Sequence, residues 1–275
     1  MKLSIWSSYY YGLSAEDAVR RLIKNGIFCS ELSTEHGFEL LNRSDDVLGT
    51  AKGFSKFLDE QGFEMSQGHL YHGVRICANE DAISTLYRWI DLYEAIGIQN
   101  MVLHCDNLRK TTLSRQEKVE KNIEKLCLLA EYVQNKDITV CLENLRPHKE
   151  NEEQVDRGID DLLYIIERVG SDKFGICLDT GHLNLTDKDQ REFILKAGDK
   201  LKALHITDNE GYTDQHIMPF TSGNIDFAKV VKALEEIGYT GLFNLEIPGE
   251  SHIPMELRDA KIPYIKACFE YLMRA

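Results

Sequence analysis

Val140-Cys-Leu-Glu143, Ile176-Cys-Leu-Asp179-Thr-Gly-His182 and Ala203-Leu-His205 are short apolar runs that each close on a metal-ligating side chain. The same ending recurs at Gly68-His69, Leu103-His104 and Leu245-Glu246. Each reads as the end of a buried strand, and successive runs lie about one strand-loop-helix-loop unit apart. Six strands would then deliver an imidazole or carboxylate at the same relative point. That is the pattern of a convergent metal site on a parallel barrel, where the loops after the strands meet at one face.

Outward from these runs, the chain alternates β-rich segments with amphipathic helical stretches, without a linker or low-complexity segment. Strands are expected at 2–6, 27–32, 64–70, 99–104, 138–143, 174–179, 202–206 and 242–246. Helical patterns lie near 14–25, 45–61, 79–97, 114–136, 158–169, 188–198, 225–237 and 256–273. Ser14, Ser114 and Asp226 read as N-caps, and Gly26, Gly62, Gly97, Gly170 and Gly238 as stops in the left-handed conformation. The expected fold is α/β, a single (β/α)8 TIM barrel spanning 1–275, a length at which such barrels occur.

Composition narrows the function classes. Hydrophobic residues make up 43% and charged residues 28%, with no apolar run long enough to cross a membrane. The strand-like run directly after Met1 leaves no room for a signal peptide, so a cytoplasmic location is expected. Seven cysteines without paired spacing argue for reduced thiols. Cys141 and Cys177 fall two residues before Glu143 and Asp179, hence on the same inward face one layer deeper. The net charge of −13 disfavours nucleic acid as a partner, since holding a phosphate backbone takes many cationic contacts. Local basic clusters do occur: Arg109, Lys110, Arg115 and Lys118 after the fourth strand, and Arg146, His148 and Lys149 after the fifth. Both are read as solvated loops, in which an arginine could hold a substrate phosphate.

Glu143, Asp179, His205 and Glu246 offer three carboxylates and one imidazole at four consecutive strand ends. That mixture suits one divalent ion of intermediate hardness, Mn, Zn or Co. Any one of these residues alone would read as a surface carboxylate or a core histidine; four at equivalent points do not.

Cys177-Leu-Asp179-Thr-Gly-His182, His205-Ile-Thr-Asp208-Asn209, and Asp214-Gln-His216 followed by Gly223-Asn-Ile-Asp226-Phe resemble the xylose-isomerase-like barrel superfamily over nearly the whole chain. That superfamily joins sugar isomerases and epimerases with endonuclease IV-type enzymes. For the former, the resemblance implies one catalytic metal on Glu143, Asp179, His205 and Glu246, with Glu143 and Glu246 also moving protons. Acidification of the C–H beside a ketose carbonyl leads to a metal-stabilised enediolate. Returning the proton to the other carbon gives an aldose; returning it to the opposite face of the same carbon gives an epimer. His182 would contact a substrate oxygen. The implied partner is a small sugar or sugar phosphate, and homo-oligomers are common in the group.

In the endonuclease IV branch the resemblance implies up to three zinc ions, on positions matching His69, His104, Glu143, Asp179, His182, His205, Asp214, His216 and Glu246. Every one of these carries a ligand type here. Three departures favour sugar chemistry: the acidic charge, Asn144-Leu-Arg-Pro147 after the fifth strand in place of small residues, and no long aromatic and basic loops. Asp214 and His216 then organise the loop or the substrate. A dehydratase and a non-catalytic sugar-binding barrel remain as further alternatives.

Glu31 ends the second strand and is read as reaching a hydroxyl or a metal-bound water. Trp6, Tyr9, Tyr10, Tyr11 and Phe38 could stack on a sugar or pack as core, and His72, His148 and His252 read as ordinary exposed imidazoles. No dinucleotide fingerprint, P-loop or nucleophile elbow stands at a strand-helix junction. Elemental mass spectrometry of gently purified, chelator-free protein separates the two metal counts: about one Mn, Co or Zn per chain for the isomerase-type site, close to three Zn for the nuclease-type site.

Overall fold

A computed structural model describes residues 1–109, 111–147, 154–186, 189–250 and 252–274. Among these residues eight parallel strands form: β1 Lys2–Ile5, β2 Cys29–Leu32, β3 Glu64–His69, β4 Asn100–Leu103, β5 Thr139–Glu143, β6 Phe174–Asp179, β7 Leu201–His205 and β8 Leu242–Leu245. Outside them run α1 Ala15–Lys24, α2 Thr34–Leu41, α3 Val47–Gln61, α4 Ala82–Ile96, α5 Arg115–Val133, α6 Ile159–Val169, α7 Thr180–Asn184, α8 Gln190–Ala197, α9 Phe227–Glu236 and α10 Met255–Leu272. The strands curl into the expected TIM barrel.

Local chemistry follows the expected punctuation. Ser14, Ser114 and Asp226 accept hydrogen bonds from the backbone N–H three residues on, and Ser114 forms a reciprocal capping box with Glu117. The five expected stop glycines all take positive φ. Two short helices were outside the expectation. α2 is held at its start by Ser33, whose side chain accepts from His36 N. α7 is a single turn capped by Asp179 and carries too few residues to show an amphipathic period.

Closure of the barrel is uneven. Continuous ladders join β2 through β7, and a second joins β1 to β8. The β7–β8 seam is made just past the strands, where Ile206 N donates to Asn244 O at 2.7 Å and Glu246 N donates to Ile206 O at 3.1 Å. At the β1–β2 seam no strand ladder forms among the described residues. Side chains take its place: Ser30 Oγ donates to Ile5 O at 2.6 Å, and Ser33 N donates to Ser7 Oγ at 2.9 Å.

The interior has two halves. Val102, Cys141, Cys177 and Ala203 form a small, fully buried apolar cluster under the β4–β7 end of the site, as the strand period implied for the two cysteines. Under β1, β2, β3 and β8 the inward residues are instead polar and buried: Ser4, Glu31, Gln67 and Asn244.

One expectation is corrected in part, and one open choice is resolved. In the basic cluster after β4, Arg109 is exposed as expected, but Lys118 is buried within α5 and Arg115 pairs with Asp161. Lys110, His148 and Lys149 lie outside the described residues. Among the aromatics, Tyr9 and Tyr10 are buried and hydrogen-bond to Arg258 O and Asp259, and Phe38 packs edge-on against Tyr71 and Trp89. Tyr11 is exposed, while Trp6 is partly so and donates to Ile247 O.

The seam yields a test. Ser30→Ala removes the donor to Ile5 O and should cost about 1–2 kcal/mol in urea unfolding. No change would mean that another donor closes β1 against β2.

Candidate metal centre

The strand ends bring their side chains to one buried cluster. Ligand atoms of Glu143, Asp179, His205 and Glu246 lie within 4.8 Å of one another, as do those of His69, Glu143 and His205, and those of Asp179, His182 and His216. Glu143 is the hub: its Oε2 is 2.8 Å from His104 Nε2 and 3.5 Å from His69 Nε2, and its Oε1 is 3.3 Å from both His182 Nδ1 and His205 Nδ1. Glu246 Oε2 stands 3.5 Å from His205 Nδ1 and 3.6 Å from His216 Nδ1. Asp214 lies between His216 Nε2 at 3.1 Å and His182 Nε2 at 3.4 Å, with Arg146 Nε 3.4 Å away.

The signature motifs hold one another. Asp179 Oδ1 accepts from His182 N at 2.7 Å, so one carboxylate oxygen caps α7 while Oδ2 stays unbonded. Asn144, directly after Glu143, clamps the Asp179 backbone, its Oδ1 accepting from Asp179 N at 2.9 Å and its Nδ2 donating to Asp179 O at 3.0 Å. Thr180 Oγ1 donates to Thr207 O at 2.7 Å, and Asn209 Nδ2 donates to Gly181 O at 2.8 Å, which ties the Asp-Thr-Gly-His turn to the segment after His205. Asp208 accepts from Asn209 N and Ile225 N. A Cβ at Gly223 would come within 2.1 Å of the Asp208 carboxyl carbon, which accounts for glycine there. His216 has φ +48, a conformation that costs a non-glycine residue, and its Nδ1 donates to Glu246 O at 2.9 Å.

Burial in this cluster sets the electrostatics. It works to raise the Glu143 carboxyl, but the charges of His205 and His104 and the hydrogen bonds from His104 and His182 hold it well below the usual carboxylate range. Burial pushes Glu246 up to about 7 against the pull of His205 and His216, and it raises Asp179 as well. It works to lower His205, yet Cys177, Glu246, Glu31 and Glu143 raise that imidazole well above its ordinary value.

Such a concentration of buried acids fits a cation. Asp179 Oδ2 and His205 Nδ1 are buried without a hydrogen-bond partner, and both belong to the four-residue group. Orphaned buried polar atoms are rare in proteins and point to a missing ion or water. Three carboxylates with one imidazole match a divalent ion.

The structure brings together His69, His104, Glu143, Asp179, His182, His205, Asp214, His216 and Glu246. Glu31 differs. It is fully buried and sits behind His205, not beside the carboxylate hub, with Oε2 3.0 Å from His205 Nε2. Asn144, Gln67 and Asn244 escaped the sequence reading. Gln67 and Asn244 precede His69 and Glu246 by two residues, so a polar residue one strand period before a ligand was the available signal. His72 and His252 are exposed as expected.

A family model described as a xylose isomerase-like TIM barrel matches residues 19–268. The L-ribulose 3-epimerase of Methylomonas sp. (strain DH-1) is 27% identical over 159 residues, 57% of this chain and 52% of that protein. A probable endonuclease 4 of Mycoplasmopsis agalactiae is 23% identical over 171 residues, 59% of each chain. The chain spans about half the length of these curated relatives. The crystal structure of a D-tagatose 3-epimerase-like protein shares the fold with a TM-score of 0.82 at 20% identity, covering 100% of this chain and 97% of that one.

The rim of the cluster makes a pH prediction for metal-free protein. Burial works to lower His216, but the hydrogen bond to Asp214 and the charges of Glu246, Asp179 and Asp214 raise it from 6.5 to about 10. A folded value above the unfolded one means that this stabilisation is complete below pH 6.5 and disappears as pH rises through about 10. Urea unfolding of chelator-treated protein should show His216→Gln less stable than wild type at pH 6, with the gap narrowing by about 1 kcal/mol or more at pH 10. A gap independent of pH would contradict the assignment.

Proposed function

The chain belongs to the xylose isomerase-like TIM-barrel family, and from that premise we propose that it is a divalent-metal-dependent sugar epimerase or isomerase acting on a ketose. The observation that carries this reading is the buried group Glu143, Asp179, His205 and Glu246, whose ligand atoms converge within 4.8 Å. These four residues would hold Mn, Co or Zn. A divalent ion bound there supplies electrophilic stabilisation of the negative charge that develops on sugar oxygens when the adjacent C–H bond breaks.

The protein's own groups handle the proton. Glu143 at the end of β5 and Glu246 just past β8 stand 3.3 and 3.5 Å from His205 Nδ1, so two carboxylates from different strands reach one centre, as transfer of a proton between two groups requires. Glu143, held in its anionic form by the surrounding imidazoles, carries no proton of its own and is open to receive one. Glu246, raised to about 7 by burial, is suited to carry one and return it near neutral pH. Return to the opposite face of the same carbon is epimerisation, the outcome that the likeness to an L-ribulose 3-epimerase supports. His182 has its Nδ1 3.0 Å from Asn144 O and its Nε2 facing Asp214. Its contact to a substrate oxygen therefore requires Nε2 to exchange Asp214 for the sugar.

A second reading, an endonuclease IV-like phosphodiesterase, is favoured by one observation: the ligand atoms fall into three overlapping groups that extend to His69, His182 and His216. It requires three bound zinc ions and cleavage of abasic duplex DNA. One ion per chain and no nicking would remove it.

Deuterium exchange into the carbon beside a ketose carbonyl, followed by NMR in D2O, tests the first reading. Glu143→Gln and Glu246→Gln should each lower exchange at least ~10²-fold with the far-UV circular dichroism unchanged. Full exchange in either variant would end the two-carboxylate assignment.

A further inference from the structure

His205 differs from His69, His182 and His216 in the group that holds its ring. His69, His182 and His216 each set Nδ1 against a backbone carbonyl, of Leu70, Asn144 and Glu246 at 2.7, 3.0 and 2.9 Å. A carbonyl only accepts, so those rings carry their proton on Nδ1. In His205 it is Nδ1 that stands among Glu143 and Glu246 without a hydrogen bond, while Nε2 turns back to Glu31, 3.2 Å from Oε1 and 3.0 Å from Oε2.

Glu31 is a fully buried carboxylate outside the ligand groups, and both amides bonded to it donate. Gln67 Nε2 from β3 donates to Oε2, as does Asn244 Nδ2 from β8 at 3.0 Å. Asn244 is itself oriented by Ser4 Oγ of β1, which donates to its Oδ1 at 2.7 Å. Two amides and one imidazole thus converge on one acceptor-only group. An amide in its place would turn an N–H toward at least one of these donors.

We infer that Glu31 is the positioning residue that fixes His205 in the tautomer protonated on Nε2, so that the Nδ1 lone pair is presented to the metal. The inference rests on the metal-centre reading and is independent of which substrate is turned over. A carboxylate that accepts the far N–H of a ligating histidine both orients the ring and increases its basicity, and removing such a partner lowers metal affinity by about 10–100-fold. The carbonyls behind the other three histidines orient without adding charge. His205 is therefore the imidazole given the strongest support, and it is the one shared by the four-residue group and the group with His69 and Glu143.

The test is Mn²⁺ binding by isothermal titration calorimetry to chelator-treated wild type and Glu31→Gln, with a thermal melt of each. The expected result is an affinity loss of about 10–100-fold in a variant that still melts cooperatively, accompanied by a changed visible spectrum of the Co²⁺-loaded protein. An affinity within twofold of wild type would overturn the inference and leave Glu31 a purely structural group. Long-range ¹H–¹⁵N correlation of the Zn²⁺-loaded wild type decides the matter if the variant does not fold: His205 protonated on Nε2 with zinc on Nδ1 supports the inference, and the opposite tautomer ends it. Failure of the wild type to bind any divalent ion would overturn both this inference and the metal-dependent reading. Metal binding without sugar exchange would remove the epimerase reading alone.

Discussion

Burial of several carboxylates at one end of a barrel is the constraint from which the rest of this structure follows. Glu143, Asp179 and Glu246 are almost wholly removed from water, and like charges so close together are costly unless cations or donors lie between them. The imidazoles of His69, His104, His182, His205 and His216 stand in those intervening positions. The carboxylates respond unequally: Glu143, at the hub, is held low, whereas Glu246 is pushed up to about 7.

Keeping such a cluster in register falls to the loops immediately beyond the strands. Asp179 serves twice, capping α7 with one oxygen and leaving the other unbonded in the centre. Thr180, Gly181, Thr207 and Asn209 bond the β6 and β7 loops to each other, and Asn144 binds the β5 loop to Asp179. Asp208 then gathers the returning segment around Gly223. Residues that looked like one motif in the chain are partly ligand-type groups and partly the hydrogen-bonding frame that aims them.

The interior below the site reflects the same demand. Small apolar residues fill the half under β4 to β7, and hydrogen-bonded polar residues fill the half under β1, β2, β3 and β8. That polar half also lies where β1 and β2 share no strand ladder among the described residues, and side-chain bonds of Ser30 and Ser7 serve in its place. The hydrogen bonds that join Ser4, Asn244, Glu31 and Gln67 favour one arrangement of strands, since a slip would strand buried donors without acceptors.

Periodicity was sufficient to read the eight strands, the long helices with their caps and stops, and the strand-end residues from Glu143 to Glu246, because all of these are encoded by spacing along one chain. α2 and α7 were not legible, being too short to repeat an apolar face. Glu31 was legible as a strand-end carboxylate but not in its role, since His205, Gln67 and Asn244 reach it from strands distant in sequence. Local pattern along the chain specifies the barrel and the residue types at its mouth. Contacts across the fold settle which nitrogen of each histidine faces the centre, which carboxylate is held anionic and which buried acid stands behind His205. Those properties arise from groups a few ångströms apart in space and tens to hundreds of residues apart in the chain.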